Sequence, residues 1–152
     1  MHGRIYEFSL ERMPQDDWCT EFSFYDNDIS DFADWIGSSP SDRGYDLDDL
    51  KRILPSSMFK MEGDEIEIIS NGEELIENWL YELKEQVNNL DCQNWAKEIW
   101  HIQRKIKNML DADIMFRNYY GNILNPTEFI EYCIRYYKGT KLYIGGIVDY
   151  HY

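Results

Sequence analysis

The chain has 152 residues, of which 43% are hydrophobic and 16% aromatic, and its formal net charge is -14. This length and apolar content exclude a disordered chain and predict one domain, residues 1–152, that buries a core of its own. The three cysteines, Cys19, Cys92 and Cys133, are odd in number and widely spaced, which predicts reduced thiols and not a disulfide framework.

The first third of the chain predicts short elements. Residues 4–10 alternate between apolar and polar side chains, as a half-buried strand does. Residues 13–25 are irregular and fit either a short strand or an ordered loop. Asp28 as the N-terminal cap and apolar residues at helical spacing predict a helix over 28–37. A second short helix is expected to begin at Asp46 and to end before Pro55.

The middle of the chain predicts a β-hairpin followed by two long helices. The hairpin covers residues 57–70, with its turn at 62–64. Asn71 is expected to cap the first long helix. A short link at 91–93 predicts that the two helices pack antiparallel as a helical hairpin. Their apolar stripes comprise Leu75, Ile76, Trp79, Leu80, Leu83, Val87 and Leu90 on the first helix, and Trp95, Ile99, Ile102, Ile106 and Met109 on the second.

The last third contains the strongest local signals. Residues 119–122 are typical of a turn, although 111–124 as a whole remain ambiguous. Asn125 and Glu128 form a capping-box pattern, with Pro126 at the first helical position, so a helix is expected to run from there to near Gly139. The two glycines at 145–146 between apolar stretches predict a second β-hairpin.

This irregular order of strands and helices predicts an α+β fold. Because the two element types do not alternate regularly, antiparallel pairing is favoured over a parallel α/β sheet. We expect a single compact domain in which antiparallel hairpins pack against the helical hairpin and additional shorter helices.

No pattern in the sequence specifies a reaction or a cofactor. The three histidines share no metal-ligand spacing, and phosphate-binding glycine motifs are absent from the sequence. Cys133 is predicted to lie on the apolar side of a helix, where a thiol has no base within reach. We therefore expect no catalytic residue, no metal ion and no cofactor.

The charge is unevenly distributed along the chain. Residues 1–91 hold 23 acidic and 7 basic side chains (net -16), whereas residues 92–152 hold 6 acidic and 8 basic ones (net +2). A dense acidic region repels nucleic acid and anionic membranes and attracts basic protein surfaces. The sequence thus predicts a docking surface for a basic protein, formed by Asp64, Glu65, Glu67, Glu73, Glu74 and Glu77, together with Asp28, Asp31, Asp34 and Trp35.

The hypothesis that follows is a non-enzymatic acidic interaction protein of the inhibitor, immunity or anti-defence type. Its partner is expected to be a protein with a basic surface, with no direct binding to nucleic acid and no membrane association. A sharper variant is mimicry of nucleic-acid charge, which salt would disrupt steeply. No apolar run in the sequence is long enough to cross a bilayer and no export signal is recognisable, so a cytoplasmic location is expected.

Two other functions remain open. One is a small hydrolase or transferase with a carboxylate-based active site, which requires a concave pocket that holds paired acids. The other is a structural subunit of a homo-oligomer that pairs through the edge of its C-terminal hairpin.

Overall fold

A mixed β-sheet forms the centre of the fold. The structure is a computed structural model that describes residues 1–24, 33–136 and 139–152. The helices and strands, in chain order, are β1 (His2–Ser9), β2 (Trp35–Ser38), α1 (Arg43–Ile53), β3 (Phe59–Glu62), β4 (Glu65–Ile68), α2 (Glu73–Asn88), α3 (Trp95–Lys107), β5 (Ile114–Asn118), β6 (Ile123–Leu124), α4 (Pro126–Arg135) and β7 (Lys141–His151), with two short 3₁₀ turns at Gln15–Asp17 and Glu21–Phe24.

The sheet confirms the predicted α+β class but corrects the expected pairing. In the described part of the chain, seven strands join in the order β3-β4-β7-β1-β5-β6, and β2 adds to the side of β7. The pairs are antiparallel except for β1 and β5, which run parallel. The parallel pair is possible because the long connection between these strands carries α1, α2 and α3.

The second predicted β-hairpin is wrong. Residues 141–151 form one uninterrupted strand, β7, which lies inside the sheet between β1 on one side and β2 with β4 on the other. Gly145 and Gly146 are needed for close contact and not for a turn. A Cβ atom on Gly146 would overlap the backbone of Cys19. Because β7 is an inner strand, it offers no free sheet edge of the kind that the predicted homo-oligomer would pair through.

One face of the sheet holds the larger core. Tyr6 and Phe8 of β1 point to this face and are fully buried. Helices α1 and α4 cover it, and the rings of Phe116 and Phe129 stack with their centroids 3.6 Å apart. The other buried members of this core are Leu50, Leu54, Met58, Phe59, Met61, Ile66, Ile68, Ile114, Ile130, Cys133, Leu142 and Ile144.

The opposite face is covered by residues 13–24, which we call the strap. Ile5, Cys19, Phe24 and Val148 form a smaller core beneath it. The strap is attached through the buried carboxylate of Glu7, which accepts hydrogen bonds from the backbone amides of Cys19 (2.7 Å) and Gly146 (3.0 Å). The ordered-loop alternative for 13–25 is therefore the correct one over the described residues 13–24.

The predicted helix over 28–37 is wrong at its C-terminal end. Trp35–Ser38 is strand β2, in which Ile36 pairs with Tyr150 of β7. Long-range pairing with β7 has overridden the local helical spacing. The start of this prediction, including Asp28 and Asp31, lies outside the described residues.

Two helix starts differ from the prediction by a few residues. Helix α1 begins at Arg43, and its cap is Asp42, whose carboxylate accepts a hydrogen bond from the amide of Gly44 at 2.6 Å. Asp46 is instead buried, where it pairs with the Nε of Arg4 at 2.5 Å. The N-terminal cap of α2 is Gly72, in a left-handed conformation with φ 71°.

Several other expectations are confirmed. β3 and β4 form the predicted hairpin, and α2 and α3 are joined by the predicted short link. At the start of α4 both hydrogen bonds of the capping box are present between Asn125 and Glu128. Among the described residues, none of the helices has the length and apolarity needed to cross a membrane.

Candidate functional site

The acidic residues of the β3–β4 hairpin are paired with basic residues. Both carboxylate oxygens of Asp64 lie 2.7 Å from the guanidinium of Arg12. Glu65 lies 2.6 Å from the Nζ of Lys141. These carboxylates raise the pKa values of Arg12 and Lys141, so both cations are held in their charged form. The predicted attraction of this hairpin for a basic partner is thereby reduced.

Two further acidic residues on the same face of the hairpin also lie close to basic side chains. Lys60 lies 3.2 Å from Glu62, and Glu67 is directly opposite Lys141 in the register of β4 and β7. Together with Arg12, these groups give the face four acids and three bases, so that its net charge is only -1.

Asp34 and Trp35 do not join the other predicted contact residues. Trp35 pairs with His151 at one end of β7, whereas Glu65 pairs with Tyr143. Eight residues of extended strand separate these two positions on β7, or about 26 Å at roughly 3.3 Å per residue. Asp34 and Trp35 thus lie in a different region of the molecule from the β3–β4 hairpin, and Asp28 and Asp31 lie outside the described residues.

Asp34 belongs to a cluster of two imidazole–carboxylate pairs. The Nδ1 atom of His151 lies 2.9 Å from Asp34, and that of His2 lies 2.8 Å from Asp149. The two imidazole rings meet edge to face, with centroids 5.1 Å apart. No spacing in the sequence signals this cluster, because only the pairing of β1 with β7 brings the two ends of the chain together. Over residues 1–24, 33–136 and 139–152, no group of three or more His, Cys, Asp or Glu side chains is arranged to hold a metal ion.

The Asp34–His151 contact makes a testable contribution to stability. Its hydrogen bond lowers the pKa of Asp34 below the ordinary value of 3.8. A lowered carboxyl pKa stabilises the fold above the unfolded pKa, and this stabilisation is lost as pH falls through the folded pKa. We expect Asp34→Asn to lower Tm by a few degrees at most at pH 6, with a difference from wild type that disappears towards pH 2, as measured by thermal unfolding. Asp16→Asn is the control, and an Asp34→Asn difference that stays constant across this range would contradict the assignment.

The thiols are poorly placed for nucleophilic chemistry. Burial raises the pKa of Cys19 to about 12 and also raises the pKa of Cys133. Since the thiolate is the reactive form, neither side chain is an activated nucleophile. Cys92 is exposed in the link between α2 and α3, where its only distinguishing property is accessibility.

A groove of about 1010 Å³ lies between α3 and the β5–β6 region. Two carboxylates line it, and both are engaged in structural contacts. Asp113 accepts a hydrogen bond from the hydroxyl of Tyr152 (2.6 Å) and pairs with Arg104 (3.3 Å). The carboxylate of Glu128 accepts a hydrogen bond from the backbone amide of Asn125 in the capping box. The groove therefore lacks the uncommitted acid pair that the hydrolase or transferase alternative requires.

The acidic residues of α2 contrast with those of the β-hairpin. Helix α2 carries five glutamates and one lysine, for a net charge of -4. Glu82 contacts the ammonium of Lys105 on α3. In the described residues, by contrast, no basic side chain lies within ion-pair distance of the other four, all of which are exposed: Glu73, Glu74, Glu77 and Glu85.

Three of these glutamates share one side of α2 with an exposed tyrosine. At about 100° per residue, Glu74, Glu77, Tyr81 and Glu85 fall within about 80° of one another on the helix surface. Tyr81 is 68% exposed. We call these four residues the acidic edge. It retains Glu74 and Glu77 from the predicted contact set and adds Tyr81 and Glu85.

The α2–α3 pair also exposes apolar side chains. Its register is set by the indole N–H of Trp79, which donates to the carbonyl of Lys105 at 2.9 Å. None of the residues of α2 is buried, and on α3 only Ile102 is. We call the exposed apolar residues that flank the seam the apolar face, and each of them is between 37% and 58% exposed: Leu80, Val87, Trp95, Ile99 and Ile106.

In comparisons with known protein families, curated proteins and solved structures, nothing matches this chain.

Proposed function

We propose that this chain is a non-enzymatic interaction protein of the inhibitor, immunity or anti-defence type. In this proposal the acidic edge of α2 binds a basic surface of a partner protein. The observation that carries the proposal is the contrast between two acidic regions. The carboxylates of the β3–β4 hairpin are compensated by Arg12, Lys60 and Lys141, whereas those of the acidic edge have no basic partner in the described residues.

The acidic edge combines two features that protein interfaces use. Uncompensated charge steers a basic partner towards the site and mainly raises the association rate. An exposed tyrosine offers a large contact area with a polar tip, and such side chains are enriched among residues that dominate binding energy. Tyr81 lies between Glu77 and Glu85 on the helix and is positioned to be this anchor. The overall charge of -14 opposes direct binding to nucleic-acid phosphates.

The experiment is affinity capture with the immobilised chain from an extract of its native cell. We expect a basic protein to be retained at about 50 mM salt and largely released at about 300 mM, because exposed charges are screened over a shorter distance at higher salt. The double variant Glu74→Gln/Glu85→Gln, which removes two unpaired negative charges, should lose most of the captured protein. Tyr81→Ala should weaken capture about tenfold or more, as the loss of an anchor residue does.

The matched control is Asp64→Asn/Glu65→Gln. It removes two negative charges that are already paired with Arg12 and Lys141, so capture should be nearly unchanged. Equal loss of capture in the control and in the α2 variant would show that only total charge matters, and would contradict a site on the acidic edge.

A further inference from the structure

The side chains of the apolar face of the α2–α3 pair are exposed to solvent, and binding through the acidic edge would leave them exposed. Leu80 and Val87 are seven residues apart on α2, and Ile99 and Ile106 are seven residues apart on α3. At about 100° per residue each pair forms a stripe along its helix, and in an antiparallel helix pair both stripes lie on the same side of the seam. Trp95 extends this surface towards the tip of the hairpin.

The charges of the two helices suggest what covers this face. Helix α2 has a net charge of -4, and α3, with Lys97, Arg104, Lys105 and Lys107 against Glu98, has a net charge of +3. Several of these charges are paired within the chain or point away from the apolar face, whereas Glu77 of α2 and Lys107 of α3 flank it without an ion-pair partner among the described residues. A surface with one acidic and one basic flank is complementary to its own copy, provided that each helix meets the opposite one. A symmetric dimer uses the same surface of both copies.

We propose that the apolar face binds a second copy of this chain and forms an antiparallel four-helix bundle. A two-fold axis can bring the apolar faces of the two copies together in either of two orientations. An axis perpendicular to the helices stacks α2 on α2 and opposes like charges. An axis parallel to the helices stacks α2 on α3 of the second copy, so that every neighbouring pair is antiparallel and of opposite charge. The unpaired Glu77 and Lys107 select the second arrangement, because it brings the acidic flank of one copy to the basic flank of the other.

This arrangement specifies the contacts across the dimer. A two-fold axis parallel to the helices keeps each residue at its own height along the bundle. Because Trp79 and Glu82 both contact Lys105, Leu80 lies at the height of Ile106 and Val87 at the height of Ile99. In the dimer, therefore, Leu80 packs against Ile106 of the second copy and Val87 against Ile99 of the second copy.

The charged flank of the interface follows from the same geometry. Glu77 lies about 60° around α2 from Leu80, and Lys107 lies about 100° around α3 from Ile106. Ile106 and Lys107 also line the groove beside β5 and β6. Among the described residues neither Glu77 nor Lys107 has an ion-pair partner within its own chain. In the dimer they come within about one helical turn of each other. Of the acidic edge, only Glu77 takes part in this flank, whereas Glu74, Tyr81 and Glu85 point away from the bundle. The dimer can therefore form whether or not the acidic edge binds a partner, so this inference does not rest on the proposed function.

The size of the interface sets its expected strength. Helix α2 has 16 residues, which makes it about 24 Å long, and two adjacent helices are about 20 Å wide. This footprint, about 480 Å² per copy, lies below the range of standard specific interfaces and within that of weak, transient ones. We expect a dimer that dissociates in the micromolar range.

The first test is sedimentation velocity of the full chain from about 1 to 300 μM. The mass should rise towards twice that of the monomer. Ile99→Glu, which places a charge in the apolar face, should remain monomeric with an unchanged circular-dichroism spectrum. Tyr120→Glu alters a side chain that is 86% exposed elsewhere and should dimerise like wild type. A wild-type chain that is monomeric throughout, or an Ile99→Glu variant that dimerises normally, overturns the proposal.

The second test addresses the arrangement. Glu77→Lys and Lys107→Glu should each weaken dimerisation about three- to tenfold, and the double variant should restore it. The parallel axis also places the exposed Cys92 thiols of both copies at the same end of the bundle. A bis-maleimide with a spacer of about 13 Å should therefore link the copies through Cys92, since packed helices lie about 10 Å apart. Cys92→Ser is the control, and a dimer without this cross-link, or without rescue by the double variant, contradicts the arrangement.

Discussion

Replacing Glu7 by alanine is expected to destabilise the fold by about 3–5 kcal/mol. The side chain is nearly fully buried, with Oε1 bound to Arg117 at 2.7 Å and Oε2 accepting the amides of Cys19 and Gly146. Glu7→Ala leaves a largely buried guanidinium and two backbone amides without an acceptor. Urea unfolding, followed by circular dichroism, measures the loss.

Two variants separate the burial of Glu7 from a general effect of charge. Glu7→Gln keeps one acceptor oxygen in place and should lose less stability than Glu7→Ala. Glu65→Ala removes an exposed partner of Lys141 and should cost about 1 kcal/mol or less. A cost for Glu7→Ala as small as that for Glu65→Ala would show that the carboxylate does not hold the strap on the sheet.

Replacing Phe129 by alanine is the other large expected effect, again about 3–5 kcal/mol. Phe129 is fully buried on α4, where its ring stacks on Phe116 at 3.6 Å and meets Phe8 edge to face at 5.2 Å. The substitution opens a cavity where α4 packs on the sheet and also removes the aromatic contacts. The midpoint of urea unfolding should fall accordingly.

A smaller substitution at the same position tests how the loss of stability depends on the volume that is removed. Phe129→Leu keeps most of the apolar volume and should cost roughly 1–1.5 kcal/mol. Tyr120→Ala removes an exposed ring and should stay within about 0.5 kcal/mol of wild type. If Phe129→Ala were no worse than Tyr120→Ala, α4 would not be the cover of the larger core.

Elements that depend on local chemistry could be predicted from the sequence. The Asn125–Glu128 capping box is present as expected, because its two hydrogen bonds link residues only three positions apart. The β3–β4 hairpin, with Gly63 at φ 59°, and the α2–α3 pair also follow from turn residues and periodicity.

Elements that depend on distant partners could not be predicted. Gly145 and Gly146 resemble a hairpin turn locally, but the approach of the strap to β7 explains them. Trp35–Ser38 has helical spacing, yet it pairs with the far end of β7. His2 and His151 come together only through the pairing of the first and last strands.

The candidate site was predictable in part. The sequence indicates an acidic region, but not which carboxylates are compensated, since Arg12 and Lys141 reach Asp64 and Glu65 from distant parts of the chain. Periodicity marks the apolar stripes of α2 and α3 without showing how much of them the body of the protein leaves uncovered. That exposure, which underlies both surfaces on this helix pair, emerges only from tertiary packing.

The most direct test of the central claim is amide hydrogen exchange of the chain with and without its captured protein partner. If the acidic edge of α2 is the binding site, added protection should concentrate in residues 73–88, at a chain concentration low enough to keep dimers dissociated. The β3–β4 hairpin, residues 59–68, should exchange as in the free chain. Protection confined to 59–68, or to the groove beside β5 and β6, would contradict the account.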